Sequence, residues 1–584
     1  MAPPATARYD WILALTTITF FFSAFGNGAN DVANAYATSV AARTLNMVQV
    51  GVLATITEFV GAVALGARVT DTIKNGIINV ERFDGRPGVL MLVMACAEFG
   101  NAIWLMTATG QGMPVSTTQT IVGALIGVGF ASQASVVWNW EDGSVSQIAA
   151  SWAIAPLLAA AFAAILFSTL KFGILERKDS FKWAMRLIPF YLAFTAGVLA
   201  LFITIEAPNS PDLGSIAGVI AGSILAVFFG VLIIAYVFFI PFFKRKLIRK
   251  DPRVRVWHIP LGPMLNNDNC YLYWPGKADG EYVTNYYEDA YGNVNAGQKD
   301  AQKGIAYAEN DPTKQASGSA ESSVRDEEKG VSNGDEDAAL AEAADTPAIR
   351  EHRKKHVEPW ERWIVPVQHL SWVNPVKLWA WFKFLMLRGV FMDCVTHDSA
   401  KLREIHSKAH RYDVRVEHMW TYCQVVSAMM MSIAHGSNDV ANAVGPWAAV
   451  YQTYQSGVVN TDSPTPVWFL VVAGLLLGLG FWFFGYHIIR ALGNKITQMS
   501  PTRGFSTELG AAITVLLASR LGLPVSTTQC LTGAALGVAM MNFDFGAVNW
   551  RQILYIFMGW VLTLPSAGLI AGVVCLLALN TPHF

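Results

Sequence analysis

The sequence is short of charge. Asp, Glu, Lys and Arg make up 15% of its 584 residues, while hydrophobic residues make up 53%. Soluble globular chains carry about a quarter charged residues, so this chain is depleted in charge, and its several long apolar runs exclude a soluble fold. The apolar runs lack the period-two alternation of barrel strands and are too long for them, which removes a membrane β-barrel. Six cysteines, at 96, 270, 394, 423, 530 and 575, are scattered, with no CxxC or other metal-ligand spacing and no readable disulfide framework. There is no GxxxxGK[ST] loop, which argues against an ATP-driven pump, and no enzyme motif. The net charge of −1 points to no electrostatic partner and no nucleic acid.

What the sequence has is long apolar segments. Residues 215–242 (SIAGVIAGSILAVFFGVLIIAYVFFIPF) exceed the roughly 20 residues that span a bilayer as helix. Similar segments lie at about 11–37, 47–66, 88–108, 113–131, 150–170 and 183–204, and again at about 422–447, 467–490, 507–521, 524–541 and 553–578. The expectation is an all-α polytopic membrane protein with about 12 transmembrane segments, seven before a long polar interval and five after it. The run behind MAPPATARYD is too long for a signal-peptide core and reads as the first membrane helix. This divides the chain into a membrane half at 1–243, a hydrophilic loop at 244–418 and a second membrane half at 419–584.

The loop opens with KRKLIRKDPRVR (244–255) and carries HRKK at 352–355, which places it in the cytoplasm by the positive-inside rule. Parity then puts both termini outside. Lys171, Arg177, Lys178 and Lys182 agree, as do the acidic loops at 139–142 and 206–212. Residues 68–86 disagree, since they would be outside yet contain Arg68, Lys74, Arg82 and Arg86. The stretch at about 296–350 is too poor in apolar residues to offset its ordering entropy and is expected to be disordered. Between Trp360 and about 418, Trp363, Trp372, Trp379, Trp381 and Phe382 stand among basic residues. They suggest either amphipathic helices at the membrane face or a small packed subdomain.

Two motifs occur twice. GANDVANA at 28–35 returns as GSNDVANA at 436–443, and PVSTTQTIVGALIGVG at 114–129 returns as PVSTTQCLTGAALGVA at 524–539. The offsets, 436 − 28 = 408 and 524 − 114 = 410, are nearly equal, so the intervening segments correspond, with the first copy spanning about 11–170. Glu98 in AEFGNA then matches Glu508 in TELGAA. Seven crossings separate the two starting points. An odd number means that the copies enter the membrane from opposite sides, the inverted-topology repeat of many secondary transporters with alternating access.

The first motif places Asn30, Asp31 and Asn34 in an apolar run behind Gly26 and Gly28, and the second places Asn438, Asp439 and Asn442 beside Gly436. An ionised Asp at the centre of a membrane helix costs roughly 2.5–3.5 kcal/mol on insertion scales, so it needs a cation, a partner or water. The glycines are expected to permit a helix break that frees carbonyls. Carboxylate, amide and carbonyl oxygens are ligands for small hard cations. In the other motif, Pro114 and Pro524 precede Ser116, Thr117, Thr118 and Gln119, and Ser526, Thr527, Thr528 and Gln529. Proline is favoured in the first turn of a helix, so each motif reads as a helix starting at membrane depth, a broken helix or re-entrant hairpin. Such an N-terminus offers free N–H groups and a positive dipole end. With the hydroxyls, two of them would cradle a tetrahedral oxyanion. Glu58, Glu98 and Glu508 also lie in apolar segments and are candidates for coupling, or for structural pairing with Arg68, Lys74 or Asn101.

GNGANDVANAYATSVAARTL (26–45), GSNDVANAVGPWAAV (436–450) and both PVSTTQ segments resemble the inorganic phosphate transporter (PiT) family, in particular its fungal sodium/phosphate symporters. The layout of two membrane halves around a hydrophilic loop is similar too. The resemblance covers roughly 10–243 and 415–580. It implies about twelve helices with two re-entrant hairpins and symport of inorganic phosphate with Na+. Phosphate would lie at Ser116, Thr117, Thr118, Ser526, Thr527 and Thr528, and Na+ near Asn30, Asp31, Asn438 and Asp439. It also implies dependence on Glu58 and Glu508, and a homodimer. No cofactor is expected beyond the co-transported ion, and the plasma membrane is the expected site. Two alternatives stand beside this reading. One is an H+-coupled phosphate or sulfate carrier, since the hydroxyls alone do not separate the two anions. The other is a phosphate-sensing transceptor signalling through Ser317, Ser319, Ser322 and Ser323 of the loop.

Overall fold

The computed structural model describes residues 6–140, 143–206, 213–278, 280–287, 357–395, 399–459 and 463–581. The stretch expected to be disordered, the loop serines and HRKK at 352–355 lie outside the described residues. So do parts of both acidic loops.

Among the described residues the fold is helical, with one isolated bridge, Ile78 to Val136, and no strand. The first half contains α1 (Asp10–Ala41), α2 (Met47–Leu65), α3 (Ala67–Asn75), α4 (Pro87–Gly110), α5 (Thr117–Ser132), α6 (Val145–Leu170), α7 (Ser180–Glu206) and α8 (Leu213–Ile234), which runs on through π-helical turns to Ile248. Two helices of the polar interval follow, α9 (Pro375–Phe391) and α10 (Ala400–Ser407). The second half contains α11 (Val414–Ser456), α12 (Val467–Phe484), α13 (Tyr486–Leu492), α14 (Pro501–Arg520), α15 (Thr527–Met540) and α16 (Trp550–Asn580). Each of the twelve apolar segments falls on a helix. Eight described helices are long and apolar enough to cross a membrane. α11 is not one of them, because Gln424, Ser427, Ser432, His435, Ser437, Asn438, Asp439 and Asn442, all buried, dilute its apolar content.

The expected helix break at the glycines does not occur. α1 and α11 run unbroken through GANDVANA and GSNDVANA. The glycines instead let backbones touch. A Cβ on Gly28 would sit 2.0 Å from Leu477 O of α12, and one on Gly436 2.5 Å from Glu58 O of α2. The breaks fall at PVSTTQ. Gly112 (φ +67°) and Gly522 (φ +69°) turn the chain in a conformation open chiefly to glycine, and Ser116 and Ser526 then cap α5 and α15 by accepting from the N–H groups of Gln119 (3.1 Å) and Gln529 (3.3 Å).

The two halves interlock. α1 and α11 are antiparallel, with Phe20 stacked on Trp447 and the Asn27 amide donating to Asp439 O. α5 packs on α16 of the other half, and α15 on α6 of the first. Gly127 meets Gly568 O and Gly537 meets Ala160 O, where added Cβ atoms would stand at 2.0 and 2.3 Å. Both hairpins, α4–α5 and α14–α15, are thereby held tip to tip at the centre.

α3 was not anticipated. It carries two of the four cations at 68–86 into tertiary contacts. Lys74 is buried, 3.2 Å from Asp71 and 2.8 Å from Ser463 O, and Arg68 donates to Arg520 O at 2.8 Å. These two cations serve tertiary contacts, and neither meets a glutamate of the apolar segments. In the Trp-rich segment, α9 exposes Trp379, Phe382 and Leu385 and buries Ala380, Phe384 and Gly389. It docks on α12, whose Trp482 indole donates to Met386 O at 2.7 Å.

Candidate cation and anion site

Each repeated motif is built into the centre by its own hairpin. The Asn30 amide donates to Thr109 Oγ1 (2.9 Å) and Met113 O (3.1 Å). Asn438 does the same at Ser519 Oγ and Leu523 O, both 3.2 Å. These contacts tie α1 to the tip of the first hairpin and α11 to the tip of the second. One turn on, the bonding crosses between halves. Asn34 donates to Thr528 Oγ1 (2.8 Å) and Thr527 Oγ1 (3.4 Å), while Asn442 donates to Thr117 Oγ1 (3.0 Å) and Thr118 Oγ1 (3.2 Å). Thr118 Oγ1 donates to Val525 O at 2.9 Å and Thr528 Oγ1 to Val115 O at 3.1 Å.

The aspartates sit on the hairpin helix starts. Asp31 Oδ2 accepts from Thr117 Oγ1 (2.9 Å) and Thr117 N (3.4 Å), and its Oδ1 from Thr528 Oγ1 (3.2 Å). Asp439 Oδ2 accepts from Thr527 Oγ1 (2.9 Å) and, at 3.4 Å, from Thr117 Oγ1. Asp31, Asp439 and His435 bring ligand atoms within 4.8 Å of one another, a spacing that could hold a metal ion. The six hydroxyl residues and both aspartates are at most 2% exposed, so the site is closed to solvent. Its centre combines carboxylate and amide oxygens for a small cation with two helix N-termini for an oxyanion.

Asn30, Asp31, Asn34, Asn438, Asp439, Asn442, Thr117, Thr118, Thr527 and Thr528 are thus brought together. Ser116 and Ser526 stand at the same place as helix caps. Gln119 and Gln529 lie in the first turns of α5 and α15, with side-chain oxygens unpartnered among the described residues. The glutamates do not share one role. Glu58 reaches the site through His435, whose Nδ1 is 2.6 Å from Glu58 Oε2 and whose Nε2 is 3.0 Å from Asp439 Oδ2. Glu508 lies beyond the site and accepts from Thr38 (2.6 Å), Ser39 (2.6 Å), Ser427 (2.6 Å) and Gln424 (3.2 Å). Glu98 bonds to none of the site residues.

His435, Ser427, Gln424, Thr38 and Ser39 were missed. The repeat offset held a signal for one of them, since Asn27 + 408 falls on His435 and both are polar residues in apolar runs. For the Glu508 partners the sequence gives only polar residues spread over α1 and α11.

Comparison with known proteins gives concordant findings. The model of the phosphate transporter family matches residues 27–571. The phosphate-repressible phosphate permease pho-4 of Neurospora crassa is 38% identical over 99% of both chains. Sodium-dependent phosphate transporter 1 of Rattus norvegicus is 27% identical over 98% of this chain and 96% of its own. The relatives are named as transporters and permeases, not as enzymes. A solved structure titled "The sodium-dependent phosphate transporter" aligns with a TM-score of 0.61 at 24% identity, covering 98% of this chain and 100% of that one. It shares the fold.

Proposed function

We propose that this chain, which belongs to the phosphate transporter family, is a secondary active carrier that imports inorganic phosphate together with Na+ by alternating access. The observation that carries the reading is the sharing of hydroxyls at the centre. Thr117 and Thr527, at the two helix N-termini, donate to Asp31 and Asp439. A cation drawn to those carboxylates competes for the same oxygens, turning the hydroxyls and the positive helix ends toward an anion. The anion in turn screens the cations. Each ligand therefore raises the affinity of the other by the same factor. Named relatives are sodium-dependent phosphate transporters, which supports Na+ as the coupling ion. Protonated phosphate can donate a hydrogen bond and sulfate cannot, so acceptors as close as Asp31 and Asp439 favour phosphate.

The architecture we attach to this function is an inverted repeat of about twelve segments with re-entrant α4–α5 and α14–α15 hairpins, in membrane halves 1–243 and 419–584 around a cytoplasmic loop. Matching contacts at 408–410 residue offsets support it, such as Asn30–Thr109 with Asn438–Ser519. Both termini would be outside, in the plasma membrane, with a homodimer as the assembly and the exposed aromatics of α9 against the bilayer.

His435, held between Glu58 and Asp439, makes H+ coupling the second reading. Labelled phosphate uptake into proteoliposomes, under an imposed Na+ or H+ gradient with sulfate as competitor, separates them. Na+-driven uptake that ignores sulfate is the expected result. Uptake that follows only the H+ gradient replaces the ion, and no uptake under either gradient refutes the carrier.

A further inference from the structure

The turn from α6 into α7 carries four exposed cations, Arg177, Lys178, Lys182 and Arg186. Of the acids nearby, Glu176 pairs with Lys171 (3.4 Å) and Asp413 with Arg415 (2.7 Å), while Asp179 is exposed. Among the described residues no ion pair reaches any of the four. Two of them share one ring instead. The guanidinium carbons of Arg177 and Arg186 stand 5.7 and 5.5 Å from the centre of Trp183. α7 has no acid in its first turn, so Lys182 faces the positive end of the helix dipole uncompensated.

α7 is one of the membrane-length helices, apolar over Ser180–Thr204. Arg186 lies on its second turn, about 9 Å from the start at 1.5 Å per residue. A charged side chain within a membrane helix nearly always faces the bundle interior or a partner. Arg186 is exposed and has neither. One and two turns further on, Phe190 and Phe194 are exposed on the same face, and Phe190 meets the exposed Tyr236 edge to face at 6.3 Å. The face is thus cationic at its end and apolar along its length, with Trp183 between the two parts. A soluble anion would satisfy the cations and leave the phenylalanines uncovered. A bilayer lipid meets both, with its phosphate among the cations and its chains on the rings. Lys and Arg reach outward along a membrane helix to the phosphate level, and Trp is a residue of that interface.

We propose that Arg177, Lys182, Trp183 and Arg186 bind the headgroup of an anionic phospholipid whose chains lie along Phe190 and Phe194. This binding needs only that the chain sits in a bilayer and is independent of the coupling ion and of the transported anion. On its inner side α7 presents Tyr191 to Trp420 of α11 and Phe505 of α14, with ring centres at 5.6 and 6.1 Å. The lipid therefore braces α7 against the second hairpin.

The test is titration of the purified full chain in neutral detergent with phosphatidylglycerol, the bound lipid counted by native mass spectrometry. Phosphatidylcholine with the same chains is the uncharged reference. The wild type is expected to hold a tight phosphatidylglycerol that phosphatidylcholine does not replace. A basic residue beside an anionic headgroup is worth about fivefold in affinity, so Lys182→Gln/Arg186→Gln should weaken that lipid by about thirtyfold. Arg82→Gln/Arg86→Gln removes two exposed cations elsewhere and should leave it unchanged. Unchanged affinity in the α7 variant overturns the site. So does an equal loss in both variants, which would mean general charge attraction, and so does equal binding of phosphatidylcholine. Glycerol phosphate, the headgroup without chains, should not displace the lipid at equal concentration; displacement would make this a site for a soluble anion and overturn the docking. Should the double variant not fold, Arg186→Gln alone is expected to weaken binding by about fivefold, and unchanged affinity there overturns the site equally.

Discussion

Replacing Asp31 by Asn tests the central charge argument with almost no change of shape. The carboxylate accepts from Thr117 Oγ1 at 2.9 Å and from Thr528 Oγ1 at 3.2 Å, and an amide oxygen can keep one of these bonds. Two unit charges about 4 Å apart at an effective dielectric constant near 20 interact by about 4 kcal/mol. Asn retains an oxygen ligand and the surroundings relax, so about half of this, about 2 kcal/mol, is expected to appear as lost cation binding. That is about thirtyfold in affinity. The assay is labelled phosphate uptake into proteoliposomes at fixed phosphate, titrated with Na+ against choline and normalised to inserted protein. The half-saturating Na+ concentration should rise about thirtyfold in Asp31→Asn and comparably in Asp439→Asn. The melting temperature should change little, since one neutral hydrogen bond is worth about 1 kcal/mol. If both variants keep half-saturating Na+ within about threefold of the wild type, less than about 0.7 kcal/mol, the aspartates are packing groups and the twin-site reasoning fails.

Thr528→Val removes a hydroxyl that bonds Asp31, Val115 O and the Asn34 amide. It should weaken phosphate activation of uptake by about tenfold or more, the worth of one charge-assisted hydrogen bond, and shift Na+ activation less; the reverse order in the two titrations would place the anion elsewhere. Gly28→Ala pushes a Cβ to 2.0 Å from Leu477 O and should cost about 1–3 kcal/mol or more by overpacking. Gly110→Ala, with nothing within 4 Å of the new atom, should be neutral or stabilising by up to about 1 kcal/mol; thermal melts of the pair check both. Tyr287→Phe removes the phenol that donates to Glu417 Oε1 at 2.6 Å. Burial, then the Glu417 charge, holds that phenol well above its usual pKa, so it remains a donor at neutral pH. Its loss should cost about 1.5–3 kcal/mol and speed hydrogen exchange around Glu417 and Thr502, and unchanged exchange there would show that the contact holds nothing.

The helices and the central motifs were legible in the sequence because each depends on local chemistry. Apolar runs of membrane length fold as helices wherever they lie, and a proline before a hydroxyl cluster starts a helix whatever its partner. Duplication then identified Asp31 with Asp439 and Thr117 with Thr527. What was not legible depends on contacts across hundreds of residues. Asn34 could be read as buried, but not as the donor to Thr527 and Thr528 of the other half. Gly28 and Gly436 were read as break points because a glycine beside a polar residue permits one. They are contact points, since α12 and α2 approach so closely that no side chain fits. Nor does composition reveal that Lys74 is buried against Asp71 and Ser463.

The repeat also shows where the two halves part. At the centre several contacts match between the halves, Asn30–Thr109 with Asn438–Ser519 and Asn34–Thr528 with Asn442–Thr118. Away from the centre they do not. Beyond Asn34 the chain supplies Thr38 and Ser39, with Ser427 and Gln424 opposite, and they surround Glu508 with donors. At the opposite flank Phe20, Trp447 and Phe469 stack at 4.0 and 4.3 Å. One flank is thus closed by polar groups satisfied among themselves, the other by stacked apolar rings. Under the alternating access proposed above, opening the first would break charge-assisted hydrogen bonds, and opening the second would expose aromatic surface. The costs are different in kind, so two states related by the repeat need not be equal in energy. Under that proposal the asymmetry that gives a carrier a resting side would reside in these flanks and not in the duplicated motifs.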